Sequence, residues 1–332
     1  MLIQCISIYG AGSWGTALAL QLARNGIDVL LWDINAEHIK TLQQDHQNQA
    51  YLANIPFPRN LHCTSDIKQL SQHSKHQLIV VPSHGFRTLL QNIRDYLDNN
   101  HTLLWATKGI ELSSGKFLHQ IVQEEIPLAL SYGVISGPTF AAEVAKGLPT
   151  AMTVASSDEH FAENVAQAFK SDSFRMYTSN DILGVELGGA IKNVLAIAAG
   201  ISDGLGYGAN ARAALITRGL AEIMRLGRSL GAKSETLMGL AGLGDLVLTC
   251  TDNQSRNRRL GLALGQGIDA KTAMQQIGQA VEGYKSAQSV CLLAKQAHVE
   301  MPIATQIHRI LYENLSAECA VRILLSRNIK AE

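Results

Sequence analysis

Gln4 to Tyr9 reads QCISIY, a short buried strand, and runs directly into Gly10-Ala11-Gly12-Ser13-Trp14-Gly15. Helical periodicity follows from Thr16 to Arg24, until Asn25-Gly26 ends it. A strand, a G-x-G-x-x-G turn and a helix in direct succession leave few folds open. Gly10 permits the tight turn, and Gly12 lets backbone approach a pyrophosphate at the positive end of the helix. Gly15 allows helix to pack closely on strand. Asp33 closes the next strand, Asp28 to Trp32, at the distance where such a fingerprint needs its acidic residue. The turn therefore calls for a nicotinamide or flavin dinucleotide.

The rest of the N-terminal half repeats the alternation. Apolar runs at Leu78–Val81, Thr102–Ala106 and Gly133–Ser136 read as strands, with helical stretches such as Phe117–Glu125 between them. Continuous apolar strands separated by helices predict a doubly wound, mainly parallel sheet covered on both faces. Ala151–Ala155 and Phe174–Tyr177 are expected to extend it. From Asp181 onward long helical patterns take over: Ile182–Ile201, Ala211–Leu230, Arg256–Leu264, Ala287–Gln296 and Ile303–Asn314. The expected organisation is an α/β domain over residues 1–180 and an all-α domain over 181–332.

Several function classes are disfavoured by composition. The 332 residues carry 28 Lys+Arg against 28 Asp+Glu, so no general attraction to nucleic acid or an anionic membrane surface is expected. Hydrophobic residues reach 46%, ample for two cores. Cys5, Cys63, Cys250, Cys291 and Cys319 are widely spaced with no C-x-x-C, which reads as buried, reduced thiols in a reducing compartment. Met1-Leu2-Ile3-Gln4 lacks the basic start of a signal peptide. Ile182–Ile201 is apolar enough to raise a membrane span, but Glu186, Lys192 and Asn193 favour a buried helix of a soluble protein. No histidine stands in an E-x-x-H arrangement, so no metal site is expected.

Lys192 is the residue of the second half that most suggests chemistry. Burying an ammonium among apolar residues is unfavourable unless it is paired or loses its proton, and a desolvated lysine can act as general acid or base in carbonyl–alcohol interconversion. Glu186 and Asn193 share a helical stripe beside it, which suggests the wall of a cleft. Lys108, in WATKG, and Gly137 and Thr139, in SGPTF, follow apolar strands, where ligands of open α/β sheets bind. Gly239-Leu240-Ala241-Gly242-Leu243-Gly244 imitates the first glycine string, but no strand precedes it; it reads as a helix–helix turn that presents Asp245. Thr251–Leu260, TDNQSRNRRL, places Ser255, Arg256 and Asn257 at a helix start, an anion site suited to one phosphate. Arg258 and Arg259 read as a solvated face.

Taken in order, GAGSWGTALA (10–19), WATKG (105–109), SGPTFA (136–141), LGGAIKN (187–193), GLGDL (242–246) and TDNQSRNRR (251–259) closely resemble bacterial NAD(P)-dependent glycerol-3-phosphate dehydrogenases. The resemblance runs from Ile6 to about Leu325. It implies an N-terminal Rossmann domain and a helical C-terminal domain like that of 6-phosphogluconate dehydrogenase. It also implies interconversion of dihydroxyacetone phosphate and sn-glycerol 3-phosphate for phospholipid synthesis, in the cytoplasm. By the same resemblance Lys192 is the proton donor and acceptor, with Lys108 and Asp245 beside it. Gly137, Thr139, Ser255, Arg256 and Asn257 contact substrate, with Asn193 and Thr249 in support. Ser13, Trp14, Lys108, Ala141, Arg256, Ala280 and Glu282 contact NAD(H) or NADP(H). A homodimer is common for this architecture. Bacterial members often have a small residue followed by a basic residue or histidine after the second strand; here Asp33-Ile34 stands there. A carboxylate at that place favours NAD(H), since it suits ribose hydroxyls and repels a 2′-phosphate. The rival readings are a dehydrogenase of another small hydroxyacid, disfavoured by the phosphate turn, and a non-catalytic NAD sensor, which would not need Lys192, Lys108 and Asp245 together.

Overall fold

The computed structural model describes residues 3–327; the outermost residues of both expected domains, 1–2 and 328–332, lie outside it. The chain forms two compact units. One runs up to Lys108 and resumes over Phe117–Glu186; the other takes Gly109–Lys116 and the chain from Leu187 onward. The division falls inside the helix Ile182–Gly204, a few residues past Asp181, and one short segment of the N-terminal half belongs to the second unit.

Eight strands form the sheet of the first unit: β1 (Cys5–Tyr9), β2 (Asp28–Trp32), β5 (Leu61–Thr64), β6 (His76–Ile79), β7 (Thr102–Trp105), β8 (Ser131–Ser136), β9 (Thr150–Ser156) and β10 (Phe174–Ser179). Between β2 and β5 lies a separate small hairpin of β3 (Gln47–Asn48) and β4 (Leu52–Pro56). The spatial order is β10-β9-β8-β7-β6-β1-β2-β5, and every pairing is parallel except β8 with β9. Ile6, Ile8, Val29, Leu31 and Leu78 are buried at 5% exposure or less, which is why these strands read as unbroken apolar runs. The strand order reverses at β1, which pairs β2 on one side and β6 on the other, and a crevice at such a reversal is where open α/β sheets take their ligands. β5 and the hairpin were not expected. Leu61-His62-Cys63-Thr64 has one apolar residue of the aliphatic kind and an exposed His62, too little apolar character to announce a strand.

The second unit is helical, with no strand among its described residues. Ile182–Gly204 passes a composition test for a bilayer span, yet 89% of its most apolar stretch is buried in protein, so it is a core helix. It meets Arg256–Gly265 at near backbone contact. A Cβ on Gly200 would lie 2.1 Å from the Arg258 carbonyl oxygen, and one on Gly261 would lie 2.0 Å from that of Ile197. Only glycine fits at such a crossing, so the helices Arg256–Gly265 and Ile182–Gly204 are locked side by side.

Candidate active site

The glycine turn follows β1 in the first unit. Gly10 has φ +114°, a conformation that L side chains rarely adopt, and a Cβ there would meet the Val80 carbonyl oxygen at 2.9 Å. A Cβ on Gly15 would fall 1.8 Å from the Gly10 oxygen, so the helix Ser13–Arg24 can sit this close to β1 only with glycine at that position. Around Gly12, by contrast, a Cβ would meet nothing within 4 Å. Gly12 caps the helix without a side chain, and the first turn carries no acidic residue. The helix start is thus open to a pyrophosphate and carries no carboxylate to repel it. Trp14 Nε1 is buried with no hydrogen-bond partner. Ser13 and Ala141 are half-buried at the starts of their helices. These features fit a dinucleotide.

The turn is braced from three directions. Asp33 Oδ2 accepts the Ala11 N–H at 3.1 Å, and its Oδ1 accepts the Asn35 N–H at 2.9 Å. Asn48, fully buried in the hairpin, donates to the Ala11 carbonyl at 2.9 Å and to Thr16 at 2.8 Å. His38 Nε2 lies 3.3 Å from the same carbonyl. Nothing in the sequence pointed to Asn48 or His38, since they are far along the chain and belong to no motif. Lys108, just past β7, lies with its Nζ 3.5 Å from the Gly137 carbonyl, and Thr139 Oγ1 donates to that carbonyl at 3.2 Å. A Cβ on Gly137 would crowd the Met152 Cα at 2.9 Å. Ser136 Oγ, next in line, is buried without a partner.

Within the second unit, Lys192, Asp245 and Thr249 come together. Lys192 Nζ donates to Asp245 Oδ1 and, at 2.9 Å, to Thr249 Oγ1, while Thr249 Oγ1 donates to the Asp245 carbonyl at 2.6 Å. All three are buried, Asp245 completely. Pairing with Asp245 offsets the cost of burying the Lys192 side chain. Gly239–Gly244 forms the expected helix–helix connection, in which a π-helical turn, Leu240–Gly244, delivers Asp245 as the first residue of the helix Asp245–Thr251. Its closeness to the lysine helix is steric: a Cβ on Gly188 would lie 2.5 Å from the Ala241 oxygen.

A second group adjoins the first. Asn257 Nδ2 donates to Asn193 Oδ1 at 2.9 Å, and Asn257 Oδ1 accepts the Gly283 N–H at 2.9 Å, next to Glu282 at the start of its helix. Ser255 caps Arg256–Gly265 through the Arg258 N–H, and Arg256 is half-buried. Ala280 is exposed in the preceding connection.

Three sequence expectations change. Arg258 is not on a solvated face: it is 6% exposed and bonds to Cys250, Asn253 and Asp203, while Arg259 is exposed. Glu186 does not join Asn193 in lining a cleft beside Lys192. Its carboxylate is buried in the first unit, where it accepts Trp105 Nε1–H at 3.1 Å and the His119 N–H at 3.0 Å and pairs with the His119 ring. Burial raises its pKa above the ordinary carboxylate value. The cysteines are all free, but only Cys250 is buried, with its thiol pushed up to about 12 by desolvation; the other four are half-buried.

A strand–glycine turn–helix on a doubly wound sheet, with a helical unit that buries a lysine–carboxylate pair, is the arrangement of a two-unit, nucleotide-dependent oxidoreductase. The model of the NAD-dependent glycerol-3-phosphate dehydrogenase N-terminus matches residues 5–162, and that of the C-terminus matches 181–322. The glycerol-3-phosphate dehydrogenase [NAD(P)+] of Bartonella tribocorum is 56% identical over 98% of both chains, and that of Thioalkalivibrio sulfidiphilus matches equally well. A crystal structure of glycerol-3-phosphate dehydrogenase from Coxiella burnetii superposes with a TM-score of 0.95 at 49% identity, covering 98% of this chain and 99% of that one. This chain belongs to the NAD-dependent glycerol-3-phosphate dehydrogenase family.

Proposed function

We propose that the protein is an NAD(P)-dependent oxidoreductase that interconverts dihydroxyacetone phosphate and sn-glycerol 3-phosphate, supplying the glycerol backbone of phospholipids. The observation that carries this reading is the buried Lys192–Asp245–Thr249 cluster, one helix crossing away from the anion turn at Ser255–Asn257. A nicotinamide dinucleotide held at the Gly10–Gly15 turn would supply or take up the hydride. Lys192 donates its proton to the oxygen that becomes the hydroxyl and recovers it in the reverse direction. Asp245 and Thr249 aim the Lys192 side chain. Ser255, Arg256 and Asn257 hold the phosphate through a helix start and a guanidinium, so binding energy far from the reacting carbon positions it.

In the first unit the Gly10–Gly15 turn, with Ser13 and Trp14, takes the pyrophosphate side of the cofactor, and Asp33 takes the ribose. Lys108, Gly137 and Thr139 contact substrate and Ala141 contacts cofactor, as do Ala280 and Glu282 from the second unit; family resemblance is the support for these roles. A cytoplasmic homodimer is the working state, which sedimentation of the purified protein tests. The decisive assay is NADH oxidation with dihydroxyacetone phosphate, with unphosphorylated dihydroxyacetone, and with neither. Turnover is expected with the phosphate ester alone; equal rates with both ketones would remove the phosphate turn from the function.

A further inference from the structure

Arg258 lies beside the phosphate turn, yet its guanidinium faces inward. Nε donates to the Cys250 carbonyl at 3.0 Å, in the last turn of the helix that carries Asp245 and Thr249. One terminal nitrogen donates to the Asn253 side chain, within the connection that leads to Ser255. The other donates to Asp203, near the end of the helix that carries Lys192, and Asp203 also accepts Arg212 at 2.9 Å. One planar fork therefore touches all three chain segments that bear the proposed substrate residues of this unit. No other arginine in the run does so: Arg256 is half-buried and Arg259 exposed.

We propose that Arg258 is the positioning residue of the phosphate subsite. It fixes the 252–257 turn against the helices of Lys192 and Asp245, so that the Ser255 and Asn257 region and the Arg256 guanidinium are set before the phosphate arrives. The inference rests on the function proposed above. Its physical basis is the geometry of the guanidinium: three donors in one plane meet three acceptors on three segments, and a lysine's single ammonium reproduces such a pattern poorly. Setting the turn in advance removes an ordering cost from substrate binding, and this cost appears in the affinity for the phosphorylated ketone rather than in the chemical step.

The test compares R258K, N253A and the double variant in the complete protein, with KM for dihydroxyacetone phosphate, kcat, NADH affinity and Tm measured for each. R258K is expected to raise KM by about 10-fold or more, with kcat within about 3-fold and NADH affinity unchanged. N253A removes one arm of the fork at an exposed residue and should raise KM by a few-fold with no loss of Tm. In the R258K background N253A should add little, since the arm it removes is already lost. Should R258K fail to fold, N253A decides alone: a KM rise at constant Tm and NADH affinity supports the proposal, and an unchanged KM overturns it. Parallel loss of NADH affinity, KM and Tm in R258K would mark Arg258 as general scaffold and also overturn it, as would full additivity in the double variant. A parent protein inactive on dihydroxyacetone phosphate would instead overturn the functional reading, and this inference with it.

Discussion

The two units hold their functional groups by different physics. In the first, the proposed cofactor turn is shaped by backbone: Gly10 and Gly15 leave no room for a Cβ, and the side chains around them, Asp33 and Asn48, bond to the main chain of Ala11. In the second, the site is made of side chains bonded to side chains: Lys192 to Asp245 and Thr249, Asn257 to Asn193, Arg258 to Asp203 and Asn253. A site made of backbone binds whatever offers a matching anion. A site made of buried polar side chains stands or falls with each atom, because every unmatched partner is left desolvated.

That contrast predicts its largest consequence at Lys192. Lys192→Ala should lower kcat by about 10²–10⁴-fold, the usual loss of a general acid. NADH binding to the intact glycine turn should stay within a few-fold of the parent, as measured by fluorescence titration. Comparable turnover in the variant at neutral pH would take Lys192 out of the proton transfer. A collapse of NADH affinity would break the comparison itself, because the two sites would then not be separable.

In the first unit a side-chain change should alter which cofactor is used rather than whether the reaction runs. Asp33 is half-buried, and each of its oxygens accepts one backbone N–H, which leaves lone pairs for a ribose hydroxyl. A 2′-phosphate there would meet a carboxylate. At a partly solvated rim such a clash costs about 1–3 kcal/mol, which corresponds to roughly 10–100-fold in favour of NADH over NADPH in kcat/KM. Asp33→Ala should close the gap from both sides: NADPH improves as the charge leaves, and NADH weakens somewhat as the Ala11 N–H loses its acceptor. Equal efficiency with both cofactors in the parent would show that the carboxylate serves the turn alone.

The same contrast explains what could be read from the sequence. The glycine turn was legible because its requirement is local: a strand, three glycines and a helix are adjacent in the chain, and the sheet around them announces itself through buried apolar runs. Lys192 was conspicuous as a charge in an apolar helix and Asp245 as the residue a glycine-rich turn presents, but their pairing depends on Gly188 admitting the Ala241 backbone, which no local pattern encodes. Arg258 was misjudged for the same reason. Arg256, Arg258 and Arg259 look alike in the sequence, and only the glycine-to-backbone crossing at Gly200 and Gly261 turns one of them inward. Strand β5 escaped because Leu61-His62-Cys63-Thr64 lacks the apolar run that marked β1 and β2.

The smallest predicted effect concerns scaffolding rather than chemistry. Each unit buries a carboxylate outside the proposed substrate contacts: Glu186 in the first, paired with His119, and Glu222 in the second. Glu222 accepts the N–H groups of Ile303 at 2.7 Å and Ala304 at 3.2 Å, capping from a neighbouring helix the one that Pro302 begins. Desolvation pushes its pKa up to about 7, against the pull of those two N–H groups and of the Arg225 and Arg327 charges. A folded-state value above the unfolded one means that the native state keeps a proton which the unfolded chain releases. The stability this adds is fully present below about pH 4.5 and is lost as the pH rises through 7. At most it amounts to about 3 kcal/mol, or several degrees in Tm for a unit of this size. Glu222→Gln cannot titrate and offers one acceptor oxygen in place of two, so it should be less stable than the parent at pH 5. The Tm difference between parent and variant should then shrink or reverse by pH 8. A difference that stays constant over that range would show that Glu222 is charged throughout, and that the two backbone N–H groups outweigh its burial.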